Sequence, residues 1–418
     1  MLLKNCTFID FQTLEFKENV NILVEKGESG GISFVDANVK ANKIIDCTNK
    51  IVTKSFVHGH HHAYSALAMG MPQPTKKPIN FLEILQKIWW NLDKKLNDKH
   101  IEACGLATAM QCAKNGVTFV IDHHSSPNSI KGSLDILAEA FEKVGLSHLL
   151  CYEISDRDGK EKSKIALDET EKYLLKHQGL VGLHASFTVD NETLEKAADL
   201  SKMFNTGIHI HVAEDPIDEF LTYEKYGSTV IERLYKYNFL SNSKTILAHC
   251  LHLNERERQI LSKSNCFIVQ NVESNLNNEV GIFDYEDLNH SKIMIGTDGM
   301  HSDMIRATQS TFFINKNHNE LSLQNVYNHL RNNNKYLQIN NFLGDSDNNL
   351  IVLDYNPPTP ILKENILGHF FFGFSSSNIL HVISKGEIIL ENKKLTKIDE
   401  TEILNFAKQQ AKELWSKI

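Results

Sequence analysis

The chain has 418 residues, more than a typical single domain, and its composition of 41% hydrophobic and 23% charged residues is normal for a globular protein. The net charge of −8 excludes the basic character of most nucleic-acid-binding proteins, and we find no apolar run long enough to span a bilayer. We therefore expect neither a nucleic acid nor a membrane as a partner.

The beginning of the chain and the cysteines predict a cytoplasmic location. The first residues, MLLKNCTFIDFQ, lack the long apolar segment and the small-residue cleavage site of a secretory signal. The seven cysteines are odd in number, scattered and without a Cys-x-x-Cys pair, as expected of free thiols in a reducing compartment.

The first 54 residues are predicted to form short strands. LLKNCTFID, VNILVEK and GISFVDA are alternating or β-branched runs, and KGESGG is a turn signal between them. The glycine cluster precedes a strand and is not followed by Lys-Ser/Thr, so we interpret it as a surface turn and not as a phosphate-binding loop.

From residue 55 onward, apolar runs alternate with segments of helical period, which is typical of repeated βα units around a parallel sheet. Helical segments such as IEACGLATAMQCAKNG and NETLEKAADLSKMFNTG close on glycine, a common helix stop. Eight strands in this alternation predict an α/β fold of the (β/α)8 TIM-barrel class. The predicted strands lie around Phe56 and in VTFVID, HLLCYEIS, VGLHASFTV, GIHIHVAE, KTILAHC, CFIVQN and KIMIGTDG.

The rest of the chain returns to strand signals. A polar, Asn-rich stretch at 325–349 precedes NLIVLDY, ILHVISKG and EIILENKKL, so we expect the two strand-rich ends of the chain to pair into one small β domain. The final segment predicts a helix docked on the fold by one apolar stripe. That stripe consists of Ile403, Ala407, Ala411, Leu414 and Ile418.

The stretch FVHGHHHAYS, residues 56–65, contains four histidines. Side chains alternate across a strand, so His58, His60 and His62 share one face while His61 points to the other. A lone His-x-His pair is a weak indication of a metal, because most buried histidines are satisfied by ordinary hydrogen bonds.

Other candidate ligands follow other predicted strands. GIHIHVAE places His209 and His211 at the end of the fifth strand, with Glu214 just beyond, while LAHCLH places His249 at the end of the sixth and IGTDG places Asp298 at the end of the eighth. Active sites of this barrel form at the carboxyl ends of the strands. Several imidazoles and a carboxylate at one such mouth suit a divalent metal ion, with zinc expected first and iron as the alternative.

With these motifs the sequence resembles the amidohydrolase superfamily, in its mononuclear-metal branch of deaminases and triazine chlorohydrolases. The motifs are FVHGHHH, HVAE, AHCLHLNE, VESN and GTDG, and the resemblance covers nearly the whole chain. Within that branch, EILQKIWWNLDKKL, CYEISDRDG and VLDYNPPTP are most similar to the SsnA-type aminohydrolases. The resemblance implies a metal-dependent catalytic barrel at 55–344, a β-sandwich domain from 1–54 and 345–397, and a C-terminal helix at 398–418.

The resemblance also implies the roles of the histidines and acids. Glu214 would carry protons, Asp298 would act as both ligand and base, and His249 would polarise the attacked group or orient the water. His58 and His209 are expected to lie deeper as hydrogen-bonding supports. The implied metal ligands are His60, His62, His211 and Asp298.

Three further residues are candidates for substrate binding. His184 in LHASFTV matches a position where relatives contact substrate, with core packing as an equal alternative. His123, beside His124 after the second strand, is the second candidate. Glu83 is the third; it lies with Trp89 and Trp90 in a segment suited to be a lid over a flat ring, although simple packing of the two tryptophans is the alternative.

The sequence departs from the family pattern in three places. Lys54-Ser55 replaces the usual Pro-Gly before the first barrel strand, QNVESN has Gln270 and Val272 where His and Pro are usual, and the stretch before NLIVLD is shortened and lacks Ala-Asp. None of these changes removes a ligand or a proton carrier, but the second bears on substrate choice.

We therefore predict a hydrolase of non-peptide carbon–nitrogen bonds that deaminates a small amino-substituted heterocycle, such as a purine, pyrimidine or pterin, and releases ammonia. Attack on a C–Cl bond or a cyclic amide is the alternative reaction, and a non-catalytic ligand-binding paralogue is the alternative from another class. Binuclear relatives are disfavoured, because VGLHASF contains no lysine to bridge two metals. Relatives suggest a homo-oligomer such as a dimer.

Overall fold

The computed structural model describes residues 1–316 and 321–418. The predicted barrel segment 55–344 thus includes residues 317–320, which lie outside the described part. The strands are β1 (Leu2–Ile9), β2 (Phe16–Val24), β3 (Ile32–Val35), β4 (Ile44–Asp46), β5 (Ile51–Lys54), β6 (Phe56–His61), β7 (Val117–His124), β8 (Ser147–Tyr152), β9 (Val181–Ala185), β10 (Ile208–Val212), β11 (Ile246–His249), β12 (Phe267–Gln270), β13 (Ile293–Ile295), β14 (Leu350–Leu353), β15 (Ile379–Ser384), β16 (Glu387–Glu391) and β17 (Lys394–Leu395).

Helices connect most of the strands from β6 onward. They are α1 (Phe81–Ile84), α2 (Trp90–Asp93), α3 (Asp98–Lys114), α4 (Ser133–Val144), α5 (Lys160–Leu174), α6 (Asn191–Met203), α7 (Pro216–Tyr226), α8 (Val230–Lys236), α9 (Glu255–Ser262), α10 (Val272–Asn277), α11 (Met304–Asn315), α12 (Leu323–Ile339), α13 (Ile366–Phe372) and α14 (Glu400–Trp415). Among the described residues, no helix combines the length and the apolar character needed to cross a membrane.

The eight strands β6 to β13 pair in parallel, in two groups. β6 to β8 form a three-stranded sheet and β9 to β13 form a five-stranded sheet. Isolated bridges connect the groups: Ile154 pairs with Leu183 next to β8 and β9, and His61 of β6 pairs with Asp298, which follows β13. The eight runs predicted as barrel strands all form strands, which confirms the α/β class with parallel pairing.

The sequences of these elements explain their structure. β7 and β8 are buried at every position, as expected of strands covered on both faces, and apolar residues make up half of β7 and most of β8. Helix α6 does not end as predicted on the glycine of FNTG, because the left-handed residue is Asn205, with φ 47°. Gly207 serves a different purpose, since a Cβ atom there would lie 2.3 Å from the carbonyl oxygen of Lys244.

Strands from both ends of the chain form a second, nine-stranded sheet. Its order is β17-β16-β15-β14-β5-β1-β2-β3, with β4 paired to β1. The antiparallel pair β5–β14, in which Lys54 lies opposite Leu350 and Ile51 opposite Leu353, joins the two ends. Only Ser55 separates β5 from β6, so this sheet is attached directly to the first strand of the parallel set.

The Asn-rich stretch contains helix α12, which the sequence pattern did not predict. Asn333 on this helix is fully buried. Its Nδ2 donates to the carbonyl oxygens of Val57 and Ile295, each at 2.8 Å, and its Oδ1 accepts the amide of Ile295 at 3.1 Å. One side chain therefore satisfies backbone groups of β6 and of β13.

Helix α14 docks on the fold, as predicted. Ile403 and Leu414 are buried, and Trp415 Nε1 donates to the carbonyl oxygen of Leu67 at 2.8 Å. Ala407 is also buried and Ala411 half-buried, whereas Ile418 lies beyond the helix end and is exposed. The predicted apolar stripe is thus confirmed except at its last position.

Candidate metal centre and active site

Four side chains at the carboxyl ends of three parallel strands direct their ligand atoms toward one another. His62 Nε2 lies 3.0 Å from His211 Nε2 and 2.9 Å from Asp298 Oδ1. His60 Nε2 lies 3.2 Å from the same carboxylate oxygen. All four ligand atoms lie within 4.8 Å of one another. The structure thus brings together the four residues that the resemblance implied as ligands.

The hydrogen bonds of the histidines fit a metal site. His62 Nδ1 lies 2.7 Å from the carbonyl oxygen of His123, and His211 Nδ1 lies 2.7 Å from that of His184. A carbonyl oxygen only accepts, so each Nδ1 carries the proton and each Nε2 offers a lone pair to the centre. Two facing lone pairs and a carboxylate oxygen at this spacing form a donor set for a divalent cation.

The charges of His62 and Asp298 shift each other's pKa at this centre. Burial lowers the pKa of His62, but the Asp298 carboxylate outweighs it and raises that pKa to about 9. Burial raises the pKa of Asp298, but His62 and His60 hold it well below its usual range. The ionised Asp298 carboxylate therefore stabilises a positive charge in the space between itself and His62 Nε2, which is the place of a divalent cation in the donor set.

Other histidines near the centre, His58 and His61 of residues 56–65 and His209 of β10, lie outside the set of ligands. His60 Nδ1 lies 2.9 Å from His209 Nε2, so His209 supports a ligand as expected. Strand alternation predicted that His58 shares the face of His60 and His62, but it does not. The pairing of β6 shifts register between His58 and His61, so the His58 ring stacks on that of His61 at 4.6 Å, with its Nε2 2.9 Å from Thr297 Oγ1. His61 points away, but its Nδ1 donates to the carbonyl oxygen of Asp298 at 2.7 Å. It thereby fixes the backbone of a ligand, a contact that strand alternation alone does not reveal.

The backbone is strained at two of the strand ends. Asp298 has φ 57°, and His249 and Cys250 have φ 72° and 55°. Non-glycine residues in the left-handed region cost about 1 to 3 kcal/mol each, and such strain is concentrated at functional sites. Ser274 Oγ donates to Asp298 Oδ2 at 2.5 Å and orients this carboxylate.

Glu214 and His249 lie beside Asp298. His249 Nδ1 lies 2.8 Å from Asn275 Oδ1, which holds the proton on Nδ1. Its Nε2 lies 3.5 Å from Glu214 Oε2 and has no hydrogen-bond partner among the described residues. Burial, and then the charge of Asp298, raise the pKa of Glu214 well above its usual range. A carboxyl group whose pKa is raised and an imidazole nitrogen with a free lone pair therefore face the same space.

A cavity extends from this centre to an aromatic wall. Trp89 and Trp90 line it, and the segment that carries them contains a π-helical turn at Leu85–Trp89, a distortion common at functional sites. His184 also lines the cavity; its Nδ1 lies 2.7 Å from Thr188 Oγ1 and its ring lies 5.7 Å from that of Trp90.

The structure does not place the other two substrate-binding candidates on the described cavity wall. His123 is fully buried, and its Nε2 lies 3.1 Å from the carbonyl oxygens of Leu183 and His209. Glu83 pairs with Lys87 at 2.5 Å on the lid segment. His124 is buried too, with its Nε2 3.0 Å from Ser126 Oγ.

The sequence analysis did not single out every residue of the cavity wall, and Glu153 and Arg157 are two charged residues that it missed. Glu153 and Arg157 line the cavity directly after β8. They lie in the run CYEISDRDG, so the rule that barrel sites gather at strand ends would have included them. Nothing else in that run marks them, because acidic and basic residues are frequent in exposed loops.

Comparison with known proteins gives consistent matches over almost the whole chain. Residues 51–389 match the model of the amidohydrolase family. A 5'-deoxyadenosine deaminase of Methanococcus maripaludis is 27% identical, over 92% of this chain and 93% of its own. A 5-methylthioadenosine/S-adenosylhomocysteine deaminase of Thermoanaerobacter pseudethanolicus is 24% identical, over 99% of each chain. Among solved structures, an adenosine deaminase from Xanthomonas campestris with bound zinc superposes with a TM-score of 0.84, at 15% identity and over 99% of this chain and 98% of the other.

Proposed function

The chain belongs to the amidohydrolase family, and on that premise we propose that it is a metal-dependent aminohydrolase. It removes an amino group from a small amino-substituted heterocycle, of the purine, pyrimidine or pterin kind, and releases ammonia. The observation that carries this proposal is the convergence of four ligand atoms within 4.8 Å, with the Glu214–His249 pair beside Asp298. The relatives named above as deaminases support the choice of reaction.

The proposed framework is a closed TIM barrel at 55–344. Parallel pairing through β6 to β13 and the bridges beside β8 and β13 support it. The proposed β-sandwich of 1–54 and 345–397 is supported by a common core of Leu3, Ile22, Val52 and Ile383 within the nine-stranded sheet. Residues 398–418 are the docked helix.

The proposed metal is zinc, with iron as the alternative. Three imidazoles and one carboxylate oxygen, supplied by His60, His62, His211 and Asp298, are typical zinc ligands, and the Xanthomonas relative was solved with zinc. When bound, such an ion supplies a Lewis acid that allows a water molecule to lose its proton near neutral pH.

The residues of the chain handle the protons. Asp298 is ionised and accepts a proton at its carboxylate from the attacking water. Glu214 holds a proton at Oε2 or Oε1 and donates it to the ring nitrogen next to the attacked carbon. His249, whose Nδ1 donates to Asn275, turns the lone pair of its Nε2 toward the same position, where it accepts a hydrogen bond from the attacking water and orients it. Asp298 then passes the proton it accepted to the departing amino group, which leaves as ammonia, and the hydroxyl on the attacked carbon returns a proton to Glu214 as the carbonyl forms. Each carboxyl group thus takes and gives one proton, as hydrolysis of an amidine-like carbon requires.

The alternative leaving groups and the non-catalytic paralogue are not favoured. The relatives named as deaminases match over 92% and 99% of the chain, and the ligands and both proton carriers are present together. A cytoplasmic location is part of the proposal, and the seven cysteines are all free and buried, as that location allows. The homo-oligomer remains a prediction.

Metal content and ammonia release test the proposal. Purified protein should contain about one zinc or iron per chain, and a panel of purines, pyrimidines and pterins should include a substrate that releases ammonia. Glu214→Gln should keep the metal and lose about 10²- to 10⁴-fold in turnover, the usual contribution of a positioned proton carrier. Protein without metal would contradict the proposal, and wild-type turnover in the variant would contradict the role of Glu214.

A further inference from the structure

A second carboxylate lies beside the metal centre and has no role in the proposed reaction so far. Glu153 lines the cavity, and its ligand oxygen lies within 4.8 Å of ring nitrogens of His62, His123 and His211. Glu214, in contrast, lies within that distance of His249 and Asp298. The two carboxylates therefore approach the centre from different sides.

Glu153 is held charged and in place. Its side chain is only 3% exposed, with Oε2 3.4 Å from His123 Nδ1 and Oε1 3.8 Å from Arg157 Nη1. The nearby guanidinium favours the ionised form, and an ionised carboxylate only accepts hydrogen bonds. Because 3.8 Å is too long for a hydrogen bond, Oε1 can still accept one from a molecule in the cavity.

Arg157 offers the complementary group. Its Nη2 contacts Asp93 and donates to Ser125 Oγ at 3.2 Å, and its guanidinium lies 5.1 Å from the ring centre of Trp90. Its Nη1 is buried and has no hydrogen-bond partner among the described residues. An unsatisfied buried donor destabilises a protein, so this nitrogen is a natural contact for an acceptor atom of a ligand.

We propose that Glu153 and Arg157 recognise one edge of the substrate ring, where Glu153 accepts from a ring N–H next to the attacked carbon and Arg157 Nη1 donates to the adjoining carbonyl oxygen. The attacked carbon then lies between two ring nitrogens. One receives a proton from Glu214, and the other carries the N–H that Glu153 binds. This pattern is the 2-amino-4-oxopyrimidine unit of isocytosine, guanine or a 2-amino-4-oxopteridine.

This inference rests on the proposed function and narrows its substrate class. In an adenine ring, the atoms on the corresponding side of the attacked carbon carry no N–H, and an acceptor nitrogen would face the Glu153 carboxylate. In cytosine the corresponding position is a C–H. A site built to pair with a donor rejects ligands that lack it by about 10⁴-fold, so both ring types should be poor substrates.

Isocytosine and cytosine provide a matched pair of probes, because they are isomers that differ in the places of the amino and oxo groups. We would measure binding of both by calorimetry to zinc-loaded protein carrying Glu214→Gln, in which turnover is slow, and kcat/KM for both with otherwise unaltered protein. Isocytosine should bind and react at least about 10³-fold better than cytosine.

Three substitutions locate the effect. Glu153→Gln should weaken isocytosine binding about 10- to 100-fold, the effect of losing a charged hydrogen bond, and should leave the weak cytosine binding unchanged. Arg157→Lys keeps the charge beside Asp93 but loses the planar fork, and it should act in the same direction. Glu192→Gln, on the surface of α6 with 66% of its side chain exposed, should change neither.

Each other outcome has a definite meaning. Equal binding of both isomers, or equal effects of Glu153→Gln on both, would overturn the edge recognition. Ammonia release from an adenine-type nucleoside with no response to isocytosine would also overturn it, while the proposed function would stand. If no heterocycle bound or reacted, the proposed function would fail, and this inference with it.

Discussion

Ser274 allows the metal centre to be perturbed without removing a ligand. Its Oγ donates to Asp298 Oδ2 at 2.5 Å, and the residue is only 3% exposed. Ser274→Ala deletes a single oxygen and creates no clash. A hydrogen bond to a charged group contributes about 1.5 to 3 kcal/mol, and 1.4 kcal/mol corresponds to a tenfold change in an equilibrium constant. We therefore expect zinc affinity to fall about 10- to 100-fold, the range found for outer partners of metal ligands.

Competition with a chelator of known affinity measures this change. Ser201→Ala is a matched control. Ser201 lies on helix α6, away from the metal centre, and it is also buried and donates at 2.6 Å to the carbonyl oxygen of Thr206. The control should lose about 1 kcal/mol of folding stability and keep wild-type zinc affinity. If Ser274→Ala bound zinc as tightly as the wild type, Asp298 would not be a metal ligand oriented by this serine.

Three further predictions concern the framework. Asn333→Leu leaves backbone groups of β6 and β13 without partners and should lower the free energy of unfolding by at least about 3 kcal/mol in urea denaturation; a change below 1 kcal/mol would show that water replaces the side chain. His329 is buried and uncharged, with burial, and then His290, lowering its pKa to about 3. In the unfolded chain this histidine binds a proton near pH 6.5, so the free energy of unfolding should fall by about 2 kcal/mol between pH 6.5 and 5. Thermal unfolding of His329→Phe should show a smaller fall over the same pH range. An unchanged fall would exclude His329 as the cause of the pH dependence. Gly207→Ala places a Cβ atom against the carbonyl of Lys244 and should destabilise by about 1 to 3 kcal/mol in the same denaturation assay, whereas Gly132→Ala, at an open position with φ 80°, should cost only the strain of its backbone.

Local patterns were sufficient for the strands and insufficient for helix α12. The parallel strands are buried at every position, and several, such as β12 (FIVQ) and β13 (IMI), are almost wholly apolar, a signal that survives without tertiary knowledge. Asparagine has a low helix propensity, so LQNVYNHLRNNNKYL does not look like a helix. Asn332 and Asn333 stabilise it by hydrogen bonds to strand carbonyls that are far away in the sequence.

The metal centre was accessible to sequence reasoning because His-x-His pairs and a lone aspartate at strand ends are uncommon. The cavity wall was less accessible. Glu83 lies four residues before Lys87 on one helical face and pairs with it at 2.5 Å instead of lining the cavity. The strand-end rule includes Glu153 and Arg157 among many loop residues. The structure singles them out by the burial of Glu153 and by the buried Arg157 Nη1, which has no hydrogen-bond partner in the described part of the chain.

The attachment of β5 to β6 through Ser55 has a consequence for synthesis on the ribosome. The strand that carries His60 begins as soon as residue 56 emerges, but the strand that flanks β5, β14, is made almost 300 residues later. The ligand set is itself incomplete until Asp298 has been translated. A nascent chain therefore holds histidines in reach of free metal ions long before it can enclose one, so correct loading should depend on completed translation, and truncated chains should capture ions loosely and unselectively.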